Sequence, residues 1–137
     1  MVKGELGIII IKGYIYRKYI KMKIVHLHQL EKQKVIRNGA EKVFKQVPLS
    51  GKDGAPVYAL RVFTVEPGGY TPYHRHNYEH MNYIIDGEGV LVNEEGTEQP
   101  IKKGDFALVL PDEKHQYRNI SKKQNLVIIC GVPVEHE

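Results

Sequence analysis

Turn signals interrupt the chain so often from Ile24 onward that they leave no segment for a long helix. Pro56–Glu66 is rich in β-branched and aromatic residues and runs into Pro67-Gly68-Gly69. Met81–Ile85 leads into Asp86-Gly87, a strong tight-turn dipeptide. Val90–Asn93 turns through Glu94-Glu95-Gly96 into Thr97–Ile101, and Lys103-Gly104-Asp105 precedes Phe106–Leu110. Pro111–Lys114 reads as a loop, and His115–Ile120 and Leu126–Cys130 close the series. Many short strands at close spacing predict an all-β sandwich or barrel. The one helical candidate is a turn or two near Gln29–Lys34. A length of 137 residues allows one sizeable core.

Composition narrows the function classes. Apolar residues make up 42% and charged residues 26%, as in soluble globular proteins. The longest strictly apolar runs, Phe106–Leu110 and Leu126–Cys130, fall far below the roughly 20 residues of a membrane span. Nothing near Met1 reads as a secretory signal. Cys130 is the single cysteine, so an intrachain disulfide and an all-cysteine zinc site are excluded, and a reducing cytoplasm is the expected location. The net charge of +4 resides in the first 21 residues, where Lys3, Lys12, Arg17, Lys18 and Lys21 face only Glu5. The rest of the chain is balanced, which argues against a nucleic-acid partner. Residues 1–21 therefore read as an N-terminal extension or an added strand ahead of a domain over 22–137. Ile8–Ile11 and Tyr14–Ile20 look like two short extended segments.

The chemistry concentrates in histidine. His74, His76 and His80 lie within seven residues at even positions, so a regular strand projects all three to one face. His115 opens a later strand and can reach the same point if the two strands face each other. Neutral imidazole is the commonest side-chain ligand for first-row transition metals, so the cluster predicts a metal site. Tyr117 shares the parity of His115 and is a candidate pocket wall, with core packing as the alternative. His26 and His28 read as the polar face of an edge strand, and His136 as a solvated tail residue. Arg61 is out of phase with Leu60 and Val62 and reads as a surface or dimer-interface residue, with a substrate clamp as the alternative. No nucleophile elbow, P-loop, dinucleotide fingerprint or paired-carboxylate site is present.

The stretch from Gly68 to Gly87, which contains His74, His76 and His80, resembles the first cupin motif, G-x5-H-x-H-x3,4-E-x6-G. Gly104 to Asn119 resembles the second, G-x5-P-x-G-x2-H-x3-N, with Pro111 one position late and Asp112 where the second glycine belongs. The resemblance extends from about Met22 to the end. Most cupins carry Glu where this chain has His80, while Glu79 is one residue early and faces the other way by parity. Tyr78-Glu79-His80 resembles instead the small single-domain cupins whose metal has four histidine ligands.

That resemblance implies a double-stranded β-helix, a jelly-roll barrel with one divalent transition metal in its mouth. The implied ligands are His74, His76, His80 and His115, with Glu79 excluded. Manganese or iron is the first expectation, and zinc, nickel or cobalt the alternatives. The last strands return along such a barrel, so Cys130 is a candidate for the pocket lining, with a small buried core residue as the alternative. A homodimer with exchanged edge strands is expected. Four neutral imidazoles leave the ion its full double charge, which makes it a stronger Lewis acid than a Glu-ligated one and favours its trivalent state less. The expected function is an oxidoreductase of the dioxygenase type acting on a small organic molecule. The alternatives are a non-catalytic small-molecule-binding cupin and a metal-dependent sugar isomerase. The isomerase needs a basic residue near the metal, for which Arg75 and Arg118 are the candidates.

Overall fold

Stretches rich in β-branched residues become strands in the computed structural model, which describes residues 22–137 throughout and, before them, the backbone of 8–11 and 14–17. The strands are β1 (Ile8–Ile11), β2 (Tyr14–Arg17), β3 (Gln33–Lys34), β4 (Glu41–Leu49), β5 (Tyr58–Tyr70) and β6 (His80–Asp86). They continue with β7 (Glu88–Val92), β8 (Glu98–Lys102), β9 (Phe106–Val109), β10 (Gln116–Arg118) and β11 (Leu126–Pro133). β1 and β2 pair antiparallel with each other. The rest of the expected extension over 1–21 lies outside the described residues. No helix among the described residues is long and apolar enough to cross a membrane.

β3 to β11 form one sheet in the order β8-β7-β10-β5-β11-β6-β9, with β4 on β5 and β3 on β4. Every pairing is antiparallel. In a flat sheet, β8 and β6 would stand five strand spacings apart, roughly 24 Å. Ile101 of β8 nevertheless packs with Ile84 of β6 in one buried cluster, together with Val43, Val65, Tyr117, Leu126 and Ile128. The sheet therefore curls on itself, and its inner face is the core of an all-β jelly roll. Burying each of these large apolar side chains contributes about 1.5–3 kcal/mol.

Three local expectations change. β5 does not end at Pro67 but runs on to Tyr70. β4 stays beside β5 as far as Tyr70, opposite Glu41, but on the other side the partner changes: residues 58–65 pair with β11, whereas Gly68 and Gly69 bond to Asn119 and Tyr70 pairs with Arg118. Pro67 and Gly68 thus mark where β5 passes from one part of the curled sheet to another. A proline without an N–H is tolerated at such an irregularity. Second, the Asp86-Gly87 turn joins strands that do not pair with each other: β6 bonds to β11 and β9, and β7 to β10 and β8. Gly87 has φ +79°, and a Cβ there would run into the Asn125 carbonyl, so only glycine fits this corner. Third, the helical turn falls at Leu27–Gln29, while Gln33–Lys34 is a strand. His26 caps that turn by accepting from the His28 N–H at 3.1 Å, so the His26/His28 pair belongs to a capped turn and not to an edge strand.

The loop between β9 and β10 delivers His115. In it Asp112 adopts φ +65° and donates its N–H to the His76 carbonyl at 2.7 Å. The second cupin-like motif has glycine at this place, and the left-handed conformation is the reason. Non-glycine residues resist that region by about 1–2 kcal/mol, aspartate less than most. Asp112→Gly should hold or raise the melting temperature, and Asp112→Val should lower it by several degrees. Equal melting temperatures for the two variants would show that this backbone carries no strain.

Candidate metal centre

The cluster is built on backbone. His74 and His115 form an isolated antiparallel bridge, each N–H donating to the other's carbonyl, at 3.2 and 2.9 Å. Directly opposed residues of such a pair project to the same face. Farther along, the Thr71 N–H donates to the Tyr117 carbonyl at 2.9 Å. Two residues thus lie between the two contacts on one strand and one on the other. The extra residue falls at Pro72-Tyr73 and resets the phase so that His74 points inward. The segment does not stay a regular strand to His80: it bends at Asn77-Tyr78 before β6 begins. The face-sharing of the three histidines comes from the bridge, the bend and the start of β6, and not from unbroken two-residue alternation.

His74, His76 and His115 each offer one ring nitrogen to a group that lies within 4.8 Å. His80 stands beside them, its ring centroid 4.1 Å from that of His76 and 5.4 Å from that of His115. Its Nε2 faces the Arg61 guanidinium at 3.4 Å, and it lies outside the group of three. Glu79 is exposed on the outer face.

Hydrogen bonds set the tautomers. A carbonyl only accepts, so His76 Nδ1 donates to the Tyr78 carbonyl and His115 Nδ1 to the Glu113 carbonyl, both at 2.9 Å. That leaves the Nε2 lone pair of each free, the arrangement usual for a metal-bound imidazole. His76 Nε2 and His74 Nδ1 are buried without a hydrogen-bond partner. Burial, and after it the charges of the neighbouring rings and of arginines, holds His74 down to about 4 and His80 to about 2. His76 and His115 are lowered too, burial outweighing their bonds to carbonyls, which favour the protonated form. Neutral imidazoles with unspent lone pairs fit a divalent cation.

The cluster opens into a cavity of about 150 Å³ on the inner face of the sheet. Tyr117 and Cys130 both line it. Burial raises both the Tyr117 hydroxyl and the Cys130 thiol above their ordinary pKa, so both stay protonated at neutral pH. Asn82 Nδ2 donates to Tyr117 Oη at 2.6 Å. Arg61 was expected at the surface; it is buried and lines the cavity. The signal was available in part, because Ala59, Arg61 and Phe63 share one parity and the other two members are apolar. Arg75 and Arg118 do not supply an unpaired base near the metal: they pair with Glu94 and Glu98. His136 is exposed yet not merely solvated, since it stacks on Tyr78 at 3.9 Å, and Tyr78 stacks on His76 at 4.1 Å.

The lowered histidines make the metal-free chain sensitive to acid. Below the ordinary value of 6.5 the unfolded chain takes up protons that the folded one refuses. The stability is complete above 6.5 and is lost as pH falls toward 4, the folded value of His74. The melting temperature of chelator-treated protein should therefore drop between pH 7 and pH 5. A flat profile there would contradict the neutral, buried state of the rings.

Comparison with known proteins agrees with this architecture. The cupin domain family model matches residues 61–132. The polyketide cyclase RemF from Streptomyces resistomycificus has a similar structure, with a TM-score of 0.79 and 27% identity over 83% of this chain and 80% of that one. A predicted oxalate decarboxylase from Thermotoga maritima gives 0.70 at 23% identity, over 82% of this chain and 99% of that one. Ectoine synthase from P. lautus gives 0.66 at 24% identity, over 82% and 78%. The latter two likenesses speak to the fold alone. None of the curated proteins matches significantly in sequence. With the family model matched over more than half of its length, and the jelly roll and histidine cluster in place, the chain belongs to the cupin family.

Proposed function

We propose that the chain is a divalent-metal enzyme acting on a small organic molecule, with the ion held by His74, His76, His115 and His80. One observation carries the reading: three neutral imidazoles, His115 buried and His74 and His76 half-buried, bring their nitrogens within 4.8 Å of one another. His80 is assigned as the fourth ligand because its buried ring lies against that of His76. Imidazole donors suit iron and manganese as well as zinc, nickel and cobalt. The ion supplies Lewis acidity, and two coordination positions beyond the four histidines if it is six-coordinate. The chain contributes the rest. Tyr117 and Cys130 wall the cavity, Tyr78 covers one face of His76, and the Tyr78 and Glu113 carbonyls fix the ring tautomers.

The leading chemistry is oxidation of the dioxygenase type, which uses both open positions. Lewis-acid catalysis without oxygen is the second reading. It is favoured by the neutral donor set, which leaves the ion its full charge, and by the 27% identity to a polyketide cyclase. Metal analysis and oxygen uptake on the same preparations test both. The wild type should hold about one ion per chain. His74→Ala and His115→Ala should lose most of it, and His80→Ala should weaken binding at least tenfold at limiting metal, by analogy with losses of about 10–100-fold for partners farther out. Glu79→Ala should leave metal content unchanged. Oxygen uptake abolished by chelation supports the oxidative chemistry, and turnover without uptake supports the Lewis-acid reading. A His80→Ala protein with full occupancy at limiting metal would remove His80 from the ligand set.

We also propose a homodimer. The outer face of β11-β6-β9, with Leu60 of β5, carries two rows in register: Leu60, Gly131, Met81 and Leu108, then Ile129, Tyr83 and Phe106. Neither row has a charged member, and Phe106, Met81 and Leu108 are 82%, 63% and 54% exposed. An apolar sheet face this wide with an open edge strand is an association surface, and a second copy is the partner that matches it by symmetry. Light scattering at micromolar concentration should give twice the chain mass, and Met81→Lys should give the monomer. A monomeric wild type would exclude the dimer.

A further inference from the structure

The inner face carries one polar row across three strands: Arg61 of β5, Cys130 of β11 and Asn82 of β6 stand directly in register. Arg61 is the anomaly. It is only 9% exposed, and among the described residues no carboxylate pairs with it. Its contacts are with neutral groups. Nη2 donates to Cys130 Sγ at 3.1 Å and lies 3.4 Å from His80 Nε2, and the guanidinium sits 5.0 Å from the centre of the Phe63 ring. Nε is buried with no hydrogen-bond partner. Cys130 does not supply the missing charge, because burial keeps its thiol protonated despite Arg61.

A buried charge without a counter-charge is strongly destabilising, and a guanidinium in particular has five donors to satisfy. The surroundings add to the imbalance. The described cavity wall includes Arg37, Arg75 and four histidines but no aspartate or glutamate, and only Arg75 has an acidic partner, Glu94. A divalent ion on the histidines would make the cavity more positive still.

We propose that Arg61 receives an anionic group of the ligand, and that the cavity selects small carboxylic acids. A carboxylate matches the planar fork of a guanidinium and its single charge, and it would satisfy the orphaned Nε. Inorganic phosphate carries about as much charge as malonate but no planar carboxylate, so the two probes separate geometry from charge. The inference rests on reading this cavity as the ligand site, and holds with or without the ion.

The test uses malonate, its neutral analogue malonamide, and inorganic phosphate, on chelator-treated and zinc-loaded full-length protein. Thermal shift and calorimetric titration are read for wild type, Arg61→Met and Arg61→Lys. Malonate should raise the wild-type melting temperature in both metal states, and malonamide should not. Arg61→Met should start from a higher melting temperature than wild type, because it removes an unpaired buried charge. It should also lose the malonate shift and bind malonate at least tenfold more weakly, with zinc content unchanged. Arg61→Lys keeps the charge without the fork and should fall between the two. If Arg61→Met does not fold, the Arg61→Lys comparison and the malonate–malonamide pair still decide the matter. The proposal falls if malonate stabilises Arg61→Met as much as wild type, if malonamide equals malonate, or if phosphate binds more tightly than malonate. It falls as well if no carboxylate shifts the wild type. A protein that binds none of zinc, manganese and iron yet shows the Arg61-dependent malonate shift would overturn the metal reading and leave this one standing.

Discussion

The reciprocal backbone bridge between His74 and His115 is the constraint on which the site depends. It joins the segment after β5 to the segment before β10, and it sets two imidazoles opposite each other before any side-chain rotamer is chosen. The hydrogen bonds on either side lock its register: Thr71 to Tyr117 on one side, Asp112 to His76 on the other. Because the positions are fixed through main-chain groups, the lone pairs stay available. The rings spend only their outer Nδ1–H groups on carbonyls in His76 and His115. A preorganised site of this kind requires its neutral rings to be sealed from water, and the same burial that orients them lowers their affinity for protons.

Much of the fold was legible because punctuation survives translation into structure. Glu94-Glu95-Gly96 and Lys103-Gly104 separate strands as the turn chemistry predicts, and the apolar Leu126–Cys130 run is buried at alternate positions in β11. The misreadings share a cause. Pro67-Gly68-Gly69 looked like a strand end because local propensity does not report that a long strand can cross from one part of a curled sheet to another. The Gln29–Lys34 turn was displaced because the capping bonds of His26 and Gln29 decide its start, and a histidine cap is a weak signal in sequence.

The site divides in the same way. Of the three histidines that converge, His74 and His76 belong to the set that spacing picks out and His115 joins them through the bridge, while His80 stands beside the group; the assumption of a regular strand was wrong, and a bulge and a bend set the ring positions. Arg61 was missed because Leu60 and Val62 were taken as the inward pair. Val62 is indeed buried, so burial alone does not tell the two faces apart on a strand covered on both sides. Only the register with Cys130 and Asn82, which is a property of three strands together, identifies the inner row. Tyr78 and His136 are similar: a contact between residues 58 positions apart leaves no local trace.

That contact has a mechanical consequence. His136, Tyr78 and His76 form a column of three nearly parallel rings, with interplanar angles of 6° and 9°. The column ties the short turn at Val134–His136 to a ring of the proposed metal centre without any hydrogen bond to align it. Stacked rings slide easily but resist separation, so the column acts as a sprung strut rather than a rigid post. Tyr78 is thereby held between two rings, one of the proposed metal centre and one carried by the turn after β11.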